Sequence, residues 1–325
     1  MPACLQLLNK LADGAFHSGE VLASELGVTR AAIWKQLKKI EAMGLAVDAI
    51  RGKGYRLQQP LDLLDIGKIM QQLPARIDAE IARIELFADI DSTNRYLMNE
   101  TQQQAGALIC LAETQSQGRG RRGRQWISPF ASNIYMSLKW QYTSGPMLLS
   151  GLSLALGVAV MRVLSHYGCQ DIGLKWPNDI FWRDRKLGGI LVELAGDVSG
   201  PCDVVAGLGM NVRMPEHADR DIGQPWTDLQ HILDTDMPSR NELVARLIEQ
   251  LLDVLRLYPQ QGFAFYQQEW HRWDIARGKP VCLSFPTGEK QGIVQGVDAN
   301  GALLLDTGQG VEIINSGEIS LRIQS

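Results

Sequence analysis

Residues 106–140 read GALICLAETQSQGRGRRGRQWISPFASNIYMSLKW, and the fold class turns on them. GALICLAE and NIYMSLKW are strand-like apolar runs. Between them lie four arginines and three glycines (residues 118–124). Gly118, Gly120 and Gly123 satisfy the spacing G-x-G-x-x-G, but a dinucleotide-binding turn of that type joins a strand directly to a helix. Here ETQSQ separates the strand from the first glycine, and QWISPFASN, with its proline, does not read as a helix. No G-x-x-x-x-G-K-[ST] phosphate loop occurs either. Strands that follow one another without crossover helices point to an α+β fold with a mixed sheet rather than a doubly wound one.

The same rhythm extends on both sides. ARIELFADI reads as a strand ending at Asp91-Ser92-Thr93-Asn94, polar residues suited to cap the helix RYLMNETQQQ. After NIYMSLKW come a long apolar helix over 147–168 and three strand candidates, IGLKWPNDIFW, GGILVELAG and DVVAGLGMNV. SRNELVARLIEQLLDVLRLY opens with a capping box, Ser239 with Glu242, and reads as an amphipathic helix. The most membrane-like run, MLLSGLSLALGVAVMRVL, holds Gly and Ser and carries Arg162 inside its end, so it reads as a buried core helix.

At 325 residues the chain has room for two or three domains, and 45% hydrophobic residues supply a sizeable core. The five cysteines are scattered with no CxxC pair, which suits a reducing, cytoplasmic compartment. His166 and Cys169 lack further clustered ligands for a metal. The N-terminus has no basic region followed by an apolar run, so it does not read as a signal peptide.

Charge divides the chain. The first sixty residues hold eight Lys and Arg against five Asp and Glu, a net +3, which leaves −7 for the rest of a chain at −4 overall. A basic head on an acidic body points to a nucleic-acid partner for the head. Leu5, Leu8 and Leu11 form a helical stripe stopped at Gly14; Ser18 caps a second short helix; Thr29 caps a third, RAAIWKQLKKIEAMG, with Ile33, Leu37 and Ile40 inward. A hairpin with a basic tip, Gly52-Lys53-Gly54, follows. The order resembles a winged helix-turn-helix whose third helix enters the major groove. Thr29, Arg30, Trp34, Lys35, Lys53 and Arg56 are its candidate DNA contacts, Trp34 being bulky for a base-facing position. Lysines on a solvated helix bundle remain the plainer alternative. LDLLDIGKIMQQL reads as a linker helix, and the segments from about 274 as an SH3-like barrel of some five short strands, either a stabilising cap or a contact for nucleotide or partner.

Two readings of the arginine loop stand side by side. One is a solvated loop or RGG-like nucleic-acid tether. The other is an anion clamp in which backbone N–H groups and guanidiniums close on a carboxylate or phosphate. Further residues favour the clamp. Lys175-Trp176-Pro177-Asn178-Asp179 surrounds a turn, Lys186 precedes an apolar strand, and Asn211 ends another. Each alone reads as structural; together they offer two cations, two amides and a carboxylate at strand ends, as a site for a carboxylate and a triphosphate requires.

Glu113 to Trp126, with KWPND, KLGGILVEL and GLGMNV in this order, resembles the biotin–protein ligase family, and the added head resembles its form joined to a biotin-operon repressor. The resemblance covers essentially the whole chain. It implies three domains: a winged helix-turn-helix over 1–63, a class II synthetase-like biotin and ATP domain over 64–272, and a barrel over 273–325. It implies that biotin attacks Mg-ATP to give biotinyl-5′-AMP, and that a lysine of the biotin carboxyl carrier protein of acetyl-CoA carboxylase then displaces AMP. It places biotin at Ser92, Thr93, Asn94, Gln115, Arg119, Gly120, Arg121 and Lys186. ATP or adenylate falls to Arg121, Trp126, Asn178, Asp179 and Asn211. Lys186, Arg121 and Asp179 become the catalytic residues, with Asp179 a candidate ligand for Mg²⁺. Biotinyl-5′-AMP would be the corepressor that drives a homodimer onto operator DNA. A ligand-sensing regulator without chemistry, and a ligase for another acyl acid such as lipoate, are the alternatives.

Overall fold

Leu7, Leu8 and Leu11 are fully buried along one side of the first helix, α1 (Ala3–Leu11). The stripe is therefore shifted from the expected Leu5, Leu8 and Leu11; Leu5 packs at the margin of the same cluster. The computed structural model of the protein describes residues 3–101, 105–143, 149–196, 201–215, 222–286, 288–315 and 319–324. Helix α2 (Gly19–Glu25) is capped by Ser18, whose Oγ accepts from Glu20 N; α3 (Arg30–Ala42) is capped by Thr29, whose Oγ1 accepts from Ala32 N. Strands β1 (Val47–Ile50) and β2 (Gly54–Leu57) form the antiparallel wing.

The head's core is closed from outside. Beside Leu22, Ile33, Leu37, Ile40 and Leu57 lie Phe130 and Ala131, both buried, from the segment that follows the arginine loop. Ala131 holds a left-handed backbone, φ 53, a conformation that costs a non-glycine residue on the order of 1 kcal/mol.

The segment read as a linker helix is α4 (Ile66–Gln72), and it belongs to the body: Ile69 is fully buried in the central core and α4 packs on α9 (Arg240–Gln261). A buried ionic knot ties the chain there. Leu64 N donates to Glu113 Oε1 (2.6 Å), Glu113 Oε2 lies 2.8 Å from Arg240 Nη1, and Arg240 Nη2 donates to Asn133 O (2.6 Å).

The body continues through α5 (Ala75–Asp78), β3 (Ile81–Phe87), α6 (Thr93–Met98), β4 (Ala107–Ala112), β5 (Ile134–Tyr142), α7 (Leu152–His166), β6 (Ile172–Lys175), β7 (Asp179–Trp182), β8 (Arg185–Gly196), β9 (Cys202–Met210) and α8 (Leu229–Leu233) to α9 and α10 (Ala264–Trp273). The seven strands run in the order β3-β4-β5-β9-β8-β7-β6; β3–β4 is parallel and every other pair antiparallel, as an α+β mixed sheet requires. IGLKWPNDIFW is two strands rather than one, turned back at the cis Trp176–Pro177 bond. The apolar run is the core helix α7, starting at Leu152 behind Gly151 (φ 77); residues 147 and 148 of that run lie outside the described residues. Among the described residues no helix is long and apolar enough to cross a membrane.

Strands β10 (Pro280–Phe285), β11 (Gly288–Val297), β12 (Leu303–Asp306), β13 (Val311–Ile314) and β14 (Ser320–Ile323) form an antiparallel sheet in the order β13-β12-β11-β10-β14, kinked by a bulge at Val294/Gly296. The strand count is as expected, and β13 and β14 stand at opposite edges. Val281, Leu283, Val294 and Leu305 merge into the same core as α7 and α9.

Candidate functional site

The seven-stranded sheet, the arginine loop and β14 enclose a cavity of about 1540 Å³, larger than the 300–1,000 Å³ common for one small ligand. All twelve residues expected at a ligand, Ser92, Thr93, Asn94, Gln115, Arg119, Gly120, Arg121, Trp126, Asn178, Asp179, Lys186 and Asn211, line it.

One end is neutral and polar. Ser92 caps α6, and Gln115 crosses from the loop to accept from Thr93 N (2.9 Å) and Thr93 Oγ1 (3.2 Å). Asn94 is held from three sides: its Nδ2 donates to Leu191 O (3.2 Å) and Glu193 Oε2 (2.8 Å), and its Oδ1 accepts from Ser137 Oγ (2.6 Å). A Cβ at Gly207 would collide with Asn94 Oδ1, so β9 needs glycine there. Glu193 and Ser137 are additions to the residues that the motifs point to. Their signal in the sequence is a polar residue inside an otherwise apolar strand.

The arginine loop is a folded flap. Trp126 N donates to Gly118 O (2.9 Å), Gly120 N donates to Arg124 O (2.7 Å), and Arg122 makes the turn with φ 59. Arg119 Nη2 donates to Glu193 Oε2 (3.4 Å), Arg121 Nη1 to Asn178 Oδ1 (3.5 Å) and Arg124 Nη2 to Ser320 Oγ on β14 (3.4 Å). Trp126 lies flat against β9, where a Cβ at Gly209 would stand 2.6 Å from its ring. These contacts displace the tether reading: the loop spans the cavity from the polar end to the C-terminal sheet.

The other end is cationic. Asp179 and Lys186, on β7 and β8, form an ion pair with Nζ–Oδ1 2.7 Å, and the ammonium lies 5.6 Å from the Trp126 ring centroid. The bulge between Ile180 and Phe181 shifts the β7–β8 register, so Lys186 pairs with Phe181, on the same face of β7 as Asp179. Lys175 rests over the Phe181 ring at 4.1 Å. Burial pushes the Lys175 ammonium and the Arg121 guanidinium below their ordinary values, with Asp179 opposing the shift in both. Partly desolvated cations attract an anion more strongly than fully solvated ones.

Asn178 and Asn211 line the cavity while each donates to a backbone carbonyl: Asn178 Nδ2 to Ile190 O (2.7 Å) and Asn211 Nδ2 to Thr227 O (2.9 Å). The second bond holds the stretch through Trp226, which lies beside Lys186 and lines the cavity. Arg277, Lys279 and Arg322 add a basic rim that the motifs do not reveal. Among the described residues no three His, Cys, Asp or Glu side chains cluster as a metal site.

On the head, Trp34 and Lys35 lie exposed on α3. Arg30 pairs loosely with Glu20 (3.3 Å), and Thr29 spends its hydroxyl on the cap. In the wing Arg56 is braced by Asp48 (2.9 Å) and stacks on Phe16, while Lys53 reaches over the same ring.

The site is thus a cationic pocket beneath an arginine flap, on a mixed sheet joined to a winged helix-turn-helix. Residues 86–211 match the Biotin/lipoate A/B protein ligase family, 4–56 an HTH domain and 278–322 the Biotin protein ligase C terminal domain. The bifunctional ligase/repressor BirA of Salmonella typhimurium is 41% identical over 98% of this chain and 97% of its own length, and that of Escherichia coli 40% identical over the same shares. The biotin protein ligase from Aquifex aeolicus in complex with biotin and ATP superposes with a TM-score of 0.64 at 27% identity, covering 75% of this chain and all of that one. The chain belongs to the biotin–protein ligase family, in its bifunctional ligase/repressor form.

Proposed function

We propose that the chain condenses biotin with ATP to biotinyl-5′-AMP, transfers biotin to a lysine of a biotin carboxyl carrier protein, and represses transcription when the adenylate is bound. The observation that carries this is the Asp179–Lys186 pair under the arginine flap, facing the polar end across one cavity.

The polar end suits an uncharged bicyclic ureido ring: Thr93 and Gln115 orient each other, and Asn94 is immobilised as a positioning residue. Biotin's carboxylate then points toward Lys186 and Arg121. Its oxygen attacks the α-phosphorus and the bond to pyrophosphate breaks. Two anions must approach, so Lys186 and Arg121 neutralise charge that grows at phosphorus. Asp179 fits Mg²⁺, a cation usually held by one or two carboxylates together with substrate phosphates, and the ion would neutralise phosphate charge there. In the second step a carrier amine attacks the acyl carbon and AMP leaves. The flap keeps water from the mixed anhydride meanwhile. Trp126 and Asn178 flank the adenylate, and Asn211 places the Trp226 segment.

The chain divides on this reading at 63 and 272, works in the cytoplasm, and binds operator DNA through the head as a homodimer with biotinyl-5′-AMP as corepressor. Five free cysteines suit that compartment. Incubation with biotin, Mg-ATP and a carrier domain tests the chemistry: the carrier should gain one biotinyl mass at its lysine. No gain, with no biotin-dependent ATP–pyrophosphate exchange, favours a sensor without chemistry; labelling by lipoate in preference favours the other acid.

A further inference from the structure

Helix α3 presents one exposed row of residues, Arg30, Ala31, Trp34, Lys35 and Lys38. Trp34 is central to it, four residues from both Arg30 and Lys38, so all three share a face. The residue is 55% exposed. It cannot turn inward, because Ile33, Leu37 and Ile40, all buried, fix the rotation of α3 on the head's core. The Lys38 ammonium lies 5.8 Å from its ring. An indole held outward among three cations, of which Arg30 pairs with Glu20 and Lys38 with Glu41, is an apolar element on an otherwise charged surface beside the basic wing.

Phosphate contacts from Arg30, Lys35 and Lys38 carry no sequence information. The apolar feature that a base edge offers in the major groove is the thymine 5-methyl. We propose that Trp34 is a specificity-determining residue of the DNA-binding surface and selects thymine by packing its indole on that methyl. The assignment rests on the DNA-binding reading of the head. It sets the base preference of this chain at one position in each half-site, while the flanking cations set its register.

Full-length protein with biotin and Mg-ATP is used to select duplexes from a randomised pool. The enriched duplex is then rebuilt with deoxyuridine at each thymine in turn, which removes the methyl and leaves the pairing unchanged. At one position per half-site the wild type should lose about fourfold in affinity, the worth of one buried methyl at ~0.8 kcal/mol. Trp34→Ala should bind the thymine duplex more weakly and be indifferent to that replacement, with an unchanged melting curve as its folding control. Trp34→Phe should keep part of the sensitivity. Equal penalties for wild type and Trp34→Ala at every position overturn the assignment and leave the indole to a protein contact. Indifference of the wild type to every replacement overturns it as well. A wild type that enriches no duplex sinks the DNA-binding reading itself, a separate and distinguishable failure.

Discussion

Asp179 Oδ1 stands 2.7 Å from Lys186 Nζ across the β7–β8 strand pair, so the lysine meets its substrates already partnered and already oriented. Removing it leaves Asp179 facing two anionic substrates. Lys186→Ala should lower biotin-dependent ATP–pyrophosphate exchange by about 10²–10³, the range for losing one aligned electrostatic donor. Exchange at the wild-type rate would remove Lys186 from the chemistry.

Arg121 closes the flap toward Asn178, at 3.5 Å. A charge-assisted contact contributes roughly 1.5–3 kcal/mol, so Arg121→Gly should speed adenylate release by about ten- to a hundredfold. Biotin should then appear on lysines of bystander proteins. Chase of labelled adenylate measures the rate, and unaltered retention would deny the flap its role.

Gly209 has no room for a side chain against Trp126. Gly209→Ala should push the indole into the cavity and weaken adenylate binding about tenfold or more, while the melting temperature changes little. Calorimetric titration with a non-hydrolysable adenylate separates the two effects; undiminished affinity would show that the indole has somewhere else to go.

Asp274 lines the cavity near the C-terminal sheet, and burial pushes its carboxyl up to about 6. Its Oδ1 accepts from Ala276 N, and its carboxyl is otherwise buried, with the Arg277 backbone the other hydrogen-bonding influence on it among the described residues. With the folded value above the unfolded one, the folded state holds the proton more tightly. That stability is present below about pH 4 and is lost as pH rises through about 6. Asp274→Asn keeps the acceptor and removes the charge. It should melt about two to four degrees higher than wild type at pH 7.5, with the gap closing toward pH 4. A gap independent of pH would mean that the carboxyl titrates normally.

Glu113 and Arg240 are both buried, close in distance without hydrogen-bond alignment through Oε2. Glu113→Gln strands the guanidinium, and breaking a buried pair from one side costs about 3–5 kcal/mol. Chemical denaturation should show a loss of that order, and a loss under about 1 kcal/mol would mean that the bonds from Arg240 to the Asp62 and Asn133 carbonyls suffice alone.

Much of this molecule is legible in its amino-acid sequence. Short apolar runs bounded by turn residues locate most strands, Ser18, Thr29, Ser92 and Ser239 locate helix starts by chemistry local to each turn, and the motif residues line one cavity. What escapes is set at long range. Phe130 reads as part of a loop because its partners, Leu22 and Ile33, lie about a hundred residues earlier. Ser137 and Glu193 matter only because β5 and β8 flank β9 and face Asn94. Asn211 lines the cavity as its motif suggests, but its bond to Thr227 O, sixteen residues on, is a pairing that spacing alone does not disclose.

Phe130 and Ala131 complete the core of a module whose other buried members end at Leu57. A head cut free at residue 63 therefore lacks two buried members of its own core. In isolation it would expose apolar surface that the body covers in the full chain.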